Sequence, residues 1–139
     1  MKRNGTAAFM ANDVALDSSA VIALIRNEPG HEVVRDSLEN AAISTVNICE
    51  ISDSILRRGG SPEGVMTVLR ELQVTVHDTD LDLALEASAL LPATRSAGLS
   101  LGDRFCLALA KRLDRPVLTA DRAWTTVAEA IGVRVQLIR

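Results

Sequence analysis

Tyrosine is absent from this 139-residue chain, and one Trp and two Phe are its only aromatic residues. Platforms that bind single strands stack successive bases on several aromatic faces, so that mode of recognition is not available here. Lysine is nearly absent as well: Lys2 and Lys111 stand alone among 15 basic residues, the rest being Arg. Acids number 18, and the formal net charge of −3 argues against a simple basic patch for duplexes. The Arg fork keeps bidentate recognition of phosphate or carboxylate open. Two cysteines, Cys49 and Cys106, provide neither a disulfide framework nor a CxxC metal spacing, and both read as small fillers of a core. No apolar run approaches the ~20 residues of a membrane span. Phe9 to Ala11 is too short for a signal h-region, despite Lys2 and Arg3 ahead of it. The chain is therefore expected in the cytoplasm, away from membranes. No P-loop or GxGxxG occurs, which removes the common nucleotide-binding loops.

What is present is a globular composition, 47% hydrophobic and 24% charged, at a length suited to one domain with one real core. Residues 1–12 read as a flexible leader and residues 13–139 as a single domain. The apolar run Val14–Leu16 ends at Asp17, and the periodic Val21, Ile22, Leu24 and Ile25 predict a helix starting at once. A second helix is expected over Gly30–Asn40, a strand over Ala41–Ser44 and a helix over Thr45–Arg58, stopped by Gly59-Gly60. Ser61-Pro62 opens the next helix, with an N-cap followed by proline in the first turn. Val74–His77 alternates like a strand, and Thr79–Leu91 is helical up to Pro92. An apolar helix over Ser100–Leu113, a strand over Pro116–Thr119, a helix over Asp121–Ile131 and a strand over Val133–Ile138 complete the chain. Trp124 is expected to anchor that last helix in the core. Five strands alternating with helices call for an α/β fold: a three-layer sandwich whose parallel sheet is covered on both faces.

In open parallel sheets ligands bind beyond the carboxyl ends of the strands, near the switch point. Asp17 follows the first strand (V-A-L-D) and Asp121 the fourth (V-L-T-A-D). Two more acids lie on helices among apolar neighbours, where a charge is costly unless used or paired: Glu50 in I-C-E-I and Asp103 in L-S-L-G-D-R-F-C. Each has a plain alternative. Asp17 and Asp121 could be helix N-caps, Asp103 could close a capping box with Ser100, and Glu50 could pair with a neighbouring Arg. As a set, carboxylates without His or Cys suit a hard, oxygen-preferring cation, Mg²⁺ or Mn²⁺, which also relieves their mutual repulsion.

The segments D-S-S-A-V-I-A-L at 17–24, S-T-V-N-I-C-E at 44–50, L-S-L-G-D-R-F-C-L-A-L-A at 99–110 and T-A-D-R-A-W at 119–124 run in the order of one family. From about Val14 to its end the chain resembles a PIN-domain protein, in particular the VapC class of toxins from bacterial toxin–antitoxin pairs. The resemblance implies a PIN-like five-stranded fold and a metal-dependent endoribonuclease that cleaves RNA phosphodiester bonds. It places the family's catalytic, metal-binding acids on Asp17, Glu50, Asp103 and Asp121, with no acid replaced, and its small hydroxyl residue on Thr119. It further implies Mg²⁺ or Mn²⁺ as cofactor, a homodimer, and a cognate VapB-type antitoxin whose C-terminal segment covers the acidic groove. Arg57, Arg58, Arg104 and Arg122 are candidate phosphate contacts, against the plainer reading of solvated helix-face charges.

Three rivals are weighed against this reading. G-L-S-L-G at 98–102 matches the nucleophile-elbow pattern, but Ala93–Ala97 does not read as the strand that motif needs, and His31 and His77 both precede the Ser. Ser100 is expected to be a helix N-cap instead. A noncatalytic RNA- or protein-binding module on the same fold would use the acids as caps and ion pairs. A PIN nuclease of general RNA processing would share the chemistry without an antitoxin.

Overall fold

The computed structural model describes residues 13–139, so the leader expected over residues 1–12 lies outside the described residues. Five short strands, β1 (Ala15–Leu16), β2 (Ala42–Ser44), β3 (Thr75–His77), β4 (Val117–Thr119) and β5 (Val135–Leu137), form one parallel sheet in the order β3-β2-β1-β4-β5. The chain builds outward from β1 to β3, then returns to the other side of β1 for β4 and β5. That reversal puts the switch point between β1 and β4, where a parallel sheet opens a crevice.

The two faces of the sheet sort by the period of two that strands impose. Ala15, Ala42 and Val117 face one core, packed by α5 (Leu81–Ala89) and α7 (Leu101–Leu113). Val14, Leu16, Ile43 and Leu118 face the other, packed by α1 (Ser18–Arg26), α2 (His31–Asp36), α3 (Thr45–Arg57) and α4 (Pro62–Leu72). The sandwich expected from the alternation of elements is therefore the one that forms. α7 buries Phe105 through Ala110 without a break, because that stretch lies between the sheet, α3 and α5, while Leu101, Lys111 and Arg112 at its ends stay exposed.

Local signals set most of the boundaries. Ser44, Ser61, Asp80 and Ser100 each accept a backbone N–H as N-caps of α3, α4, α5 and α7. Gly30 stands at φ +93° before α2, and a β-carbon there would lie 2.2 Å from the Ile138 carbonyl oxygen, so only glycine fits the turn.

The differences from expectation have local causes. The second helix ends at Asp36 rather than Asn40, because Ser37 turns its hydroxyl back onto the Val33 carbonyl. Pro92 breaks the fifth helix early: α5 stops at Ala89, and the chain continues as α6 (Leu91–Thr94) and a 3₁₀ turn, Arg95–Ala97. Ala93–Ala97 is thus no strand, and Ser100 is an N-cap, not a nucleophile on an elbow. The helix expected over Asp121–Ile131 is instead a 3₁₀ stretch, Arg122–Thr126, followed by α8 (Ala128–Ile131). Thr125 and Thr126 bond the carbonyls three residues back, tightening the turn, and the β-branched run Thr125-Thr126-Val127 favours no α-helix. Trp124 is fully buried from that turn, as expected. Cys106 fills the core, but Cys49 does not: it lies on the exposed side of α3.

Candidate functional site

Parallel register brings the ends of β1 and β4 together. Leu16 pairs with Leu118, the Asp17 N–H bonds the Leu118 carbonyl at 3.0 Å, and the next residues, Asp17 and Thr119, become neighbours. Asp17 occupies the N-cap position of α1 but accepts no backbone N–H there, so the capping explanation fails for it. Its Oδ2 accepts the Ser19 hydroxyl at 2.6 Å and the Thr119 hydroxyl at 2.8 Å, and the residue is 4% exposed.

Asp17, Glu50, Asp103 and Asp121 line one cleft of about 460 Å³ together with Ser18, Ser19, Ile22, Asp53, Ser54 and Arg57. α3 contributes a stripe at helical spacing (Glu50, Asp53, Ser54, Arg57), α7 contributes its first turn, and the loop after β4 contributes Asp121. Among the described residues Glu50 pairs with no Arg; its Oε1 accepts Ser18 Oγ at 2.5 Å and Asn47 Nδ2 at 3.0 Å. Asp103 does close the capping box, accepting the Ser100 N–H on Oδ2 at 2.8 Å, and Asp121 Oδ1 accepts the Ala123 N–H at 3.0 Å. The capping readings therefore hold for those two acids, yet each cap engages one oxygen only. Among the described residues, every one of the four carboxylates has one oxygen held by protein donors and one, Asp17 Oδ1, Glu50 Oε2, Asp103 Oδ1 and Asp121 Oδ2, without a protein donor.

The electrostatics follow from this crowding. Burial pushes the Asp17 carboxyl up to about 6, against the pull of its Ser19 and Thr119 bonds, and repulsion from Asp103 and Glu50 adds to the rise. Asp103 is raised in the same direction by burial, opposed by its Ser100 bonds and reinforced by Glu50 and Asp121. Behind the cleft, burial and the same acids push the Cys106 thiol well above its usual range, so it stays a neutral core residue.

Thr119 joins two of the acids. Fully buried, its hydroxyl donates to Asp17 and accepts the Asp121 N–H at 3.0 Å. Thr119→Val keeps the shape but strands that N–H and takes a donor from Asp17. We expect a loss of about 1–3 kcal/mol in thermal unfolding. An unchanged melting temperature would show the bridge to be unimportant.

Of the four Arg, only Arg57 lines the cleft, where it makes an exposed i,i+4 pair with Asp53 at 3.9 Å. Arg58 borders a neighbouring apolar hollow with Ile22, Ile25 and Ile55. Arg104 turns to the Ala87 carbonyl on α5, and Arg122 to the carbonyl of Arg139; neither lines the cleft. Sequence reasoning assigned no role to Ser18, Ser19 or Asn47. Their signal was their place: two hydroxyls directly after the strand-end acid, and an amide one helical turn before Glu50.

The donor set is all oxygen and all anionic, which is the chemistry a hard divalent cation takes. Among the described residues no three carboxylates already close into a cage, so water would complete the shell of any ion held here.

A family model described as PIN domain matches residues 14–130. The chain is 32% identical over 114 residues to a protein called VapC ribonuclease Mb2780c from Mycobacterium bovis, covering 74% of this chain and 86% of that one. It is 30% identical over 125 residues to ribonuclease VapC from Mycolicibacterium smegmatis, covering 80% and 93%. Its fold matches a chain of the DNA-bound VapBC structure from Salmonella typhimurium with a TM-score of 0.70 at 20% identity, over 91% of this chain and 98% of that one.

Proposed function

This chain belongs to the PIN-domain family and stands with its VapC ribonucleases, and from that premise we propose that its acid cleft is a divalent-metal site that cleaves RNA. The protein is an endoribonuclease and the toxin of a toxin–antitoxin pair, with a VapB-type antitoxin as partner. The observation that carries the metal reading is the set of four carboxylates round one cleft, each with one oxygen tied down and one open.

Asp17, Glu50, Asp103 and Asp121 are the residues that would hold Mg²⁺ or Mn²⁺. Such an ion, when bound, supplies Lewis-acid polarisation of the phosphodiester and lowers the pKa of a coordinated water. The chain's own groups set the rest. Ser19 and Thr119 fix the Asp17 rotamer, the Ser100 box fixes Asp103, and the Asp121 cap fixes the loop after β4. Asp17, buried and flanked by two acids, is the carboxylate that gains most from a nearby positive charge. Without one, a cleft this acidic repels the RNA backbone. Arg57 stands at the rim, exposed enough to leave Asp53 for a phosphate. No described helix is long and apolar enough to cross a membrane, and the cytoplasm, where RNA and an antitoxin are both at hand, is the proposed site of action, with the homodimer as the working unit.

Inducible expression tests the toxin role. The parent should arrest growth, the product of an adjacent reading frame should restore it, and Asp17→Asn should be harmless at equal abundance. Arrest by Asp17→Asn equal to the parent would mean toxicity by binding alone, the property of a noncatalytic module. Growth unaffected by an active nuclease would point to general RNA processing.

A further inference from the structure

Asn47, in the first turn of α3, is fully buried although its side chain is polar. A buried amide persists there only with its hydrogen-bonding capacity used. Its Oδ1 accepts the Ser44 hydroxyl at 2.6 Å. Its Nδ2 lies 3.0 Å from Glu50 Oε1, 3.2 Å from Ser18 Oγ and 3.2 Å from the Gly102 carbonyl, linking α3 to the starts of α1 and α7. Gly102, also buried, supplies the other half of the arrangement. A β-carbon at that position would lie 2.1 Å from Glu50 Oε2, 2.5 Å from Cδ and 2.7 Å from Oε1, so the carboxylate rests directly against the backbone of α7.

We infer that Asn47 and Gly102 are positioning residues that together seat the Glu50 carboxylate: the amide holds Oε1 while the missing side chain of Gly102 leaves the notch in which the group lies. The inference rests on the metal-dependent nuclease reading, and deepens it. The choice of donor fits the purpose. A Lys or Arg in place of Asn47 would neutralise the carboxylate and compete with a cation. A neutral amide satisfies one oxygen and leaves the charge in place for Oε2 to present. N-capping does not account for Asn47, because Ser44 already caps α3 through the Asn47 backbone N–H.

Gly102→Ala separates position from stability. Alanine suits a helix better than glycine, and the atoms its methyl would meet are the far end of a flexible side chain. The variant should therefore melt within a few degrees of the parent while its Glu50 carboxylate is displaced. Mn²⁺ affinity, read from the free-ion signal in electron paramagnetic resonance, and cleavage of total RNA at saturating Mn²⁺ should each fall about 10–100-fold. Asn47→Ser, which keeps a polar group but cannot reach Glu50, should move both readouts the same way. Glu50→Asp draws the carboxylate clear of the notch, so adding Gly102→Ala to it should cost less than about threefold further. Parent-like Mn²⁺ affinity and cleavage in Gly102→Ala, or an equal penalty in both backgrounds, would overturn the inference while leaving the nuclease reading intact. A folded parent that neither binds Mn²⁺ nor cleaves RNA would overturn the nuclease reading, and this inference with it.

Discussion

Asp17→Asn is expected to abolish cleavage and to make the metal-free protein more stable. The loss should be on the order of 10³-fold or more, the scale seen when a group that touches the reacting atoms is removed. The gain comes from linkage. Asp17 titrates near 6 in the folded chain against 3.8 as an ordinary carboxyl. Its contribution to stability is fully present below about pH 4 and is lost as pH rises through 6, because the folded state then holds a charge it disfavours. The difference corresponds to about 3 kcal/mol at pH 7. Asparagine carries no charge, and its carbonyl can still accept from Ser19 and Thr119. The melting temperature of the metal-free variant at pH 7 should exceed the parent's by several degrees, and the gap should close towards pH 4. Trp124 is the chain's one Trp and is fully buried, so its fluorescence follows both melts. A variant that cleaves normally, or that is less stable than the parent at pH 7, would contradict this account of Asp17.

Trp124→Ala should have the largest purely structural effect. The indole is fully enclosed by the cluster that includes Phe105, Leu109 and Ile131, and it hangs from the 3₁₀ turn directly after Asp121. Removing it costs lost burial and leaves a cavity, about 3–5 kcal/mol together, or roughly 10–20 °C in melting temperature by circular dichroism. Among the described residues its Nε1 is buried without a partner, so Trp124→Phe forfeits no hydrogen bond there and should cost well under half as much. At temperatures where Trp124→Ala stays folded, cleavage should also fall, since Asp121 loses the anchor of its turn. A loss under about 1 kcal/mol would mean that the turn is held by something else.

How far the site could be read from sequence depended on the kind of signal. Asp17 and Asp121 were legible because a charged residue ending an apolar strand has a position in any parallel sheet. Asp103 and Glu50 were legible because their helical neighbours are apolar. Sequence could not apportion duties: Asp103 and Asp121 proved to be caps as well as cleft acids, one oxygen for each task. It was weaker still on direction. Arg104 and Arg122 adjoin two of the acids in the chain, yet their side chains leave for Ala87 and Arg139. The neighbours of a long side chain are decided by packing, which spacing does not encode. Cys49 was misplaced for a related reason: a small apolar residue between Ile48 and Glu50 gives no clue to which side of α3 faces out. Gly102 carries no signal of its own, because its role lies in what its absent side chain leaves room for.

The central claim, one acidic site working through a divalent cation, is tested most directly by incubating total cellular RNA with the purified, antitoxin-free protein. Mg²⁺, Mn²⁺ and EDTA are compared, with folded Asp17→Asn prepared identically as the guard against contaminating ribonuclease. The account predicts discrete fragments with either metal, none with EDTA and none from the variant. Fragments that survive EDTA in the parent, or that appear equally with Asp17→Asn, would contradict it.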